Sequence, residues 1–268
     1  LAASNGSNGD QFGYSVSINS DATYAIVGAP RYESTATYQN DYGSIYIYSR
    51  SGSTWTQQYL AGGTEIQEYL GHSVSISGDG SYAIAGAYAE DYINGVGGVW
   101  NSGRINIWVR SGSSWSSQAF IRAGDIAANN YFGVSVDINN DGSYAIVGAS
   151  GVDTGGTDAG AAYIFTRSGT SWSQQQKIQH SDISNVDNFG SSVAINSDGT
   201  YAIVGAYRHS SSNAGAAYIF VRSGSTWTQQ AKIVSSDLGS SDFFGTSVSI
   251  SNDGDYVIVG ATNNDGGG

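Results

Sequence analysis

The chain has 268 residues, a formal net charge of −12, only 12% charged residues, and neither cysteine nor methionine. The acidic balance repels polyphosphate and anionic lipid, which excludes nucleic acid as a natural partner and disfavours a membrane surface. Without cysteine there are no disulfides, thiolate metal sites or thiol nucleophiles.

No apolar run approaches the ~20 residues that a membrane-spanning helix needs, so no membrane span is expected. The missing initiator methionine implies that a leader, or more, has been removed or is missing. Abundant glycine and tyrosine, a single proline and only two lysines (Lys177 and Lys232) point to many tight turns and half-buried aromatics. By composition such a chain is extracellular or displayed at the cell surface.

Along the chain the dominant signal is self-similarity. Leu1-Ala2-Ala3-Ser4 align with the end of an outer strand, and Asn5-Gly6-Ser7 is the one N-glycosylation sequon, which makes Asn5 the candidate acceptor. Phe12-Gly13, Leu70-Gly71, Phe132-Gly133, Phe189-Gly190 and Phe244-Gly245 then open five units of one design, 55–62 residues apart. The repeats run over about 11–68, 69–130, 131–187, 188–242 and, incomplete, 243–268, within one domain spanning 1–268.

Inside a unit, the third for instance, Val136-Asp137-Ile138 alternates apolar and polar with the period of a strand. Asn140-Asp141-Gly142-Ser143 is a hairpin turn, read as type I′ with positive φ at its central residues. The first repeat has Asp21-Ala22 instead, where the alanine is strained by roughly 1 kcal/mol if the backbone is kept. Tyr144–Ala149 is continuously apolar and fits a strand covered on both faces.

A loop of variable length leads to Ala162-Tyr163-Ile164-Phe165, a third strand. Arg167-Ser168-Gly169 marks a second hairpin. Trp172 with Gln174-Gln175-Gln176-Lys177-Ile178 forms a fourth strand, polar enough for an outer edge. Four short antiparallel strands per unit, repeated about an axis, predict an all-β fold: a β-propeller of four-stranded blades, five repeats visible, the fifth incomplete.

Phe-Gly at each start and Gly-Ala later, with Gly28-Ala29-Pro30 complete in the first unit, resemble the FG-GAP repeat of integrin alpha-chain propellers. Trp172–Ile178 and Trp227–Ile233 bring the chain closer to the secreted bacterial and marine members. The resemblance spans essentially the whole chain. It implies a propeller, an extracellular setting, and adhesion or recognition of a protein or glycan.

The calcium loop of integrin repeats is not preserved: Asn139-Asn140-Asp141-Gly142-Ser143-Tyr144 is short and carries one acid, too few oxygens for a hard cation. Asp182, Asp187, Asp237 and Asp242, before two of the Phe-Gly pairs, are expected to cap turns rather than hold calcium. No cofactor is expected; calcium held by these acids between blades is the alternative, with the integrin-type loop not preserved.

Up-and-down order puts the Asp-Gly and Arg-Ser-Gly turns on one end of the propeller and the variable loops on the other. The loop end is the candidate binding face, with Arg31, Tyr32, Tyr88, Tyr92, Trp100, Tyr207, Arg208 and His209 as candidate ligand-binding residues and Tyr38 and Tyr42 beside them. His72, His180 and His209 fall at different repeat positions without metal-ligand spacing. No nucleophile elbow, phosphate loop or zinc-protease motif occurs, so a non-enzymatic protein is expected. The broken fifth unit suggests a second reading, a structural homopolymer assembled through the incomplete blade.

Overall fold

The computed structural model describes residues 1–33, 40–93, 97–237 and 239–264. Blade 1 comprises β1 (Ser15–Ile18), β2 (Tyr24–Ala29), β3 (Ser44–Ser51) and β4 (Thr54–Gly62). Blade 2 comprises β5 (Ser73–Ile76), β6 (Tyr82–Ala87), β9 (Arg104–Ser111) and β10 (Ser114–Ile121), with a small hairpin, β7 (Tyr92–Ile93) and β8 (Gly98–Val99), set into its long loop. Blade 3 is β11 (Phe132–Ile138), β12 (Tyr144–Ala149), β13 (Ala161–Ser168) and β14 (Ser171–Ile178). Blade 4 is β15 (Ser192–Ile195), β16 (Tyr201–Ala206), β17 (Ala216–Ser223) and β18 (Thr226–Ile233). A two-stranded sheet of β19 (Phe244–Ile250) and β20 (Val257–Ala261) follows. Each blade is an antiparallel meander in sequence order, and the fold is a β-propeller.

The second strand of each full blade is buried along almost its whole length. In blades 2 to 4 neighbouring sheets cover both faces, and in blade 1 one face is closed by blade 2 and the other by its own Phe12, Tyr32 and Trp55. One core cluster joins Ile84, Ile105 and Ile107 of blade 2 to Val136, Ile138, Ala145 and Val147 of blade 3. The next joins Ile146 and Ile164 of blade 3 to Val193, Ile195, Ala202 and Val204 of blade 4. Each blade thus contributes one face to the core before it and the other face to the core after it.

The Phe-Gly and Gly-Ala signatures meet at these junctions. A Cβ on Gly148 would lie 1.8 Å from the carbonyl oxygen of Gly190 in the next blade, and one on Gly86 would lie 1.8 Å from that of Gly133. Only glycine lets the two backbones touch. A parallel bridge beside each contact, such as Gly103 with Phe132 and Gly160 with Phe189, fixes the phase of one blade on the next. The buried Phe132 and Phe189 rings pack edge-on against Tyr163 and Tyr218.

At the turn end, the expected type I′ geometry is corrected. Gly80, Gly142, Gly199 and Gly254 have positive φ, but the preceding aspartates do not. The Gly142 amide donates to Asn139 O, and Asp141 Oδ1 accepts from the Ser143 amide and hydroxyl. The turn is therefore an ordinary one ending in a left-handed glycine, and the aspartate caps it from a right-handed conformation. Ala22 keeps this backbone at φ 56°. A Cβ is costly in the later repeats, where at Gly142 it would lie 2.3 Å from the Tyr82 ring of the preceding blade.

The Arg-Ser-Gly arginines tie the two turn families together. Arg110, Arg167 and Arg222 each donate through Nε to the Asp-Gly turn carbonyl of their own blade. Each also covers a tyrosine of the blade before, Tyr24, Tyr82 and Tyr144, at 4.3–4.5 Å from the ring centre.

The glutamines of the outer strand, read in the sequence as edge polarity, staple neighbouring blades. Gln176 accepts from the Trp227 amide and donates to its carbonyl. Trp172 Nε1 donates to Gln118, and Trp227 Nε1 to Gln175.

Candidate functional site

At the loop end the chain enters each repeat through a non-glycine residue in the left-handed region: Gln11, Tyr69, Tyr131, Asn188 and Phe243, all at φ 52–59°. Such a conformation costs on the order of 1 kcal/mol per residue. Tyr69 and Tyr131 lie on either side of Tyr88, which follows Gly86-Ala87. Tyr69 stacks on Tyr88 at 5.5 Å, and Tyr131 leans on it at 6.1 Å.

His72 packs against both Tyr88 and Tyr14, and its Nε2 lies 3.2 Å from the Tyr14 hydroxyl. Burial keeps His72 below the usual histidine range, against the opposing bond to Val134 O. It is a neutral part of the wall at physiological pH.

These rings border a cleft of about 270 Å³ lined by Gln11, Tyr14, Pro30, Arg31, Tyr69, His72 and Tyr88. Arg31 is exposed there. Arg208 is also exposed, whereas the other basic residues bind within the frame: four arginines on turn carbonyls, Arg104 and Arg122 on Glu68 and Glu90, and the two lysines on Asp125 and Asp182.

Of the residues expected at the binding face, the cleft brings together Arg31 and Tyr88. The others lie elsewhere. Tyr32 packs on the blade 1 core and accepts a hydrogen bond from the Asn5 side chain. Tyr92 belongs to the β7–β8 hairpin, beneath Arg122, and Trp100 beside it is 61% exposed. Tyr207 meets Phe243, with Arg208 over its ring. Tyr38 lies outside the described residues. Tyr14, Tyr69 and His72 are not among the residues expected from the sequence, because they lie outside the long loops. Their signal was position: they flank the Phe-Gly or Leu-Gly pair that begins each repeat.

Asn5 also accepts from the Tyr46 hydroxyl, so its amide occupies a built position at the edge of blade 1. Asp125 and Asp182 take the matching place before blades 3 and 4, each binding a third-strand tyrosine and a fourth-strand lysine. Asp187 and Asp242 accept backbone amides from three residues upstream and are buried. Although the three show no metal-ligand spacing along the chain, the fold gathers His180, Asp187 and His209, with ligand atoms all within 4.8 Å of one another.

The FG-GAP repeat matches residues 1–48, 115–165, 172–220 and 227–268. No curated protein matches. Among solved structures, the Pseudomonas aeruginosa periplasmic gluconolactonase PpgL superposes with a TM-score of 0.58 at 15% identity, over 91% of this chain and 64% of that one. The chain thus spans less than two thirds of that protein's length, and the likeness is one of fold. With well over half of its residues matched, the chain belongs to the FG-GAP repeat family.

Proposed function

We propose that this chain is an extracellular, non-catalytic recognition propeller that binds its ligand at the loop end, in the cleft between Arg31 and the Tyr14–His72–Tyr88 wall. The ligand class that suits the cleft is a glycan. Flat tyrosine faces pack on the apolar faces of sugar rings, and Arg31, Gln11 and the tyrosine hydroxyls offer hydrogen bonds at the rim. The observation that carries the reading is the gathering of four aromatic rings and an exposed arginine around one cleft, two of whose lining residues, Gln11 and Tyr69, are held in the left-handed region.

A non-catalytic role is supported by how the acids are used. The turn aspartates bind their own turns, and Glu68 and Glu90 are paired with Arg104 and Arg122. An extracellular setting is supported by the acidic, lysine-poor composition and by the family, whose repeats are typical of extracellular proteins.

A glycan panel read with the intact chain tests this. Tyr88→Ala and Arg31→Ala should abolish the binding that Tyr92→Ala and Trp100→Ala retain. The opposite pattern moves the site to the β7–β8 hairpin and overturns the assignment.

A second reading, a subunit of an extracellular polymer, is favoured by two exposed sheet faces. Val16 and Ile18 of blade 1 are 67% and 54% exposed, whereas the matching Val74 and Ile76 are 7% and 4%. On the last sheet Ile258 is 72% exposed, whereas the matching Ile203 is fully buried. These surfaces correspond to the two sides of an internal junction, so a flanking sheet would cover both, whether it comes from a second copy laid head to tail or from further blades of a longer chain. Light scattering decides: a monomer at high concentration rules this reading out.

A further inference from the structure

The loop end of each blade junction closes on the same three repeat positions: the second residue after the outer strand, the residue two before Phe-Gly, and the third residue after Gly-Ala. Before blade 3 these are Ala123, Asn130 and Val152, and the alanine and valine belong to the core. Before blade 1 they are Ala3, Asp10 and Tyr32, with Ala3 and Tyr32 packed on one cluster. At blade 2, Glu68 and Glu90 occupy the last two positions and are neutralised by Arg104 and Arg122. At the junction of blades 3 and 4 the three residues are His180, Asp187 and His209. Here alone, among the described junctions, two imidazoles converge on one carboxylate.

The geometry is that of a ligand set. His180 Nε2 lies 3.2 Å from Asp187 Oδ2, and His209 Nδ1 lies 3.2 Å from Asp187 Oδ1. The side chains of His180, Asp187 and His209 are 0%, 1% and 12% exposed. Yet His180 Nε2 and His209 Nδ1, both buried, make no hydrogen bond.

His180 Nδ1 lies 3.0 Å from Asp182 Oδ1, which assigns its proton to Nδ1 and leaves the Nε2 lone pair facing a carboxylate oxygen. Two lone pairs opposed in a buried pocket call for a cation between them. The ring is also fixed, stacked on Tyr218 at 4.4 Å.

We propose that His180 Nε2, Asp187 and His209 Nδ1 bind a divalent first-row transition ion of the zinc class, with the fourth tetrahedral position left for water or a donor from the loop face. Two imidazoles and a carboxylate are the donor set of such ions, with bonds of about 2.0–2.2 Å. Calcium, which needs six to eight oxygens, is excluded by the same chemistry. Both histidine–aspartate separations already suit a shared ion, and only the two rings have to close toward each other.

Asp182 supplies the supporting carboxylate behind His180, as metal-bound histidines require. His209 Nε2 lies 2.7 Å from Lys232 Nζ and 3.4 Å from Asp182 Oδ2. On ligation its proton moves from Nδ1 to Nε2, and the ring shifts to donate that proton to Asp182 Oδ2. The Lys232 ammonium gives up its contact with Nε2 while keeping its 2.6 Å bond to the same acid. The ion ties the linker leaving blade 3 to the β16–β17 loop of blade 4.

The test uses the whole chain, stripped with a chelator and titrated with Co²⁺, then Zn²⁺. The expected result is one equivalent of Co²⁺ with the visible spectrum of a four-coordinate site, displaced by Zn²⁺, and a melting temperature that rises with Zn²⁺ but not Ca²⁺. The triple variant His180→Ala, Asp187→Asn, His209→Val copies the set that packs before blade 3. It should fold and lose the spectrum and the zinc shift, whereas His72→Ala keeps both. No spectrum and no shift at about millimolar metal, an unchanged stoichiometry in the triple variant, or an equal response to Ca²⁺ overturns the proposal.

Discussion

The Asp-Gly turn offers a paired test of how neighbouring blades constrain one another. Gly142→Ala adds a Cβ at φ 65°, 2.3 Å from Tyr82 Cδ2 and 2.7 Å from Cγ. The left-handed conformation costs about 1 kcal/mol, and displacing a packed ring about 1–3 kcal/mol more. Tyr82 also lies beneath Arg167 at 4.3 Å, so part of a contact worth about 0.5–1 kcal/mol is lost. Reduced freedom of the unfolded chain returns about 0.4–1 kcal/mol, leaving a net loss of about 2–3 kcal/mol.

At the equivalent position of blade 1, Ala22→Gly relieves strain that no neighbouring ring adds to. It should gain at most about 1 kcal/mol after the entropy of glycine is charged against it. Urea unfolding followed by tryptophan fluorescence, with the m-value held as a check, reads both changes. At about 2–4 °C per kcal/mol, Gly142→Ala lowers the melting temperature by roughly 5–10 °C. If the two exchanges had equal and opposite effects, the ring contact would carry no weight and the account of the junction would fail.

Gln176→Ala removes both bonds to the Trp227 backbone and should cost about 1–3 kcal/mol by urea unfolding. Arg167→Lys cannot reach the carbonyls of Gly142, Asp141 and Gly169 together. It should lose about 1–2 kcal/mol despite keeping the charge. Burial acts to raise Asp125 and Asp182, but bonds from Lys177 and Tyr163, and from Lys232, His180 and Tyr218, hold both below the usual carboxylate range. Their folded values lie under the unfolded ones, so the stability they give is full above about pH 4 and is lost as pH falls through and below that range. Melting curves between neutral pH and strong acid should show this loss, and Asp182→Asn should flatten it.

The repeat itself was legible in the sequence, because each element's chemistry is local. Alternation specifies the first strand, a fully apolar run the second, and Asp-Gly and Arg-Ser-Gly the turns. The sharing of one end by both turn families followed from up-and-down order, and the arginine clamps connect them as that order requires.

What only the tertiary structure decided is what each blade asks of the next. The glycines of Gly-Ala and Phe-Gly are needed because two backbones touch across a junction. The outer glutamines bind a neighbouring strand, and Tyr14, His72 and Tyr88 form one wall although they come from the starts of two repeats and the loop after Gly86-Ala87. His180, Asp187 and His209 sit on two linked blades with no spacing to betray them. Radial packing brings together different places of successive repeats, and a one-dimensional sequence carries no record of that adjacency.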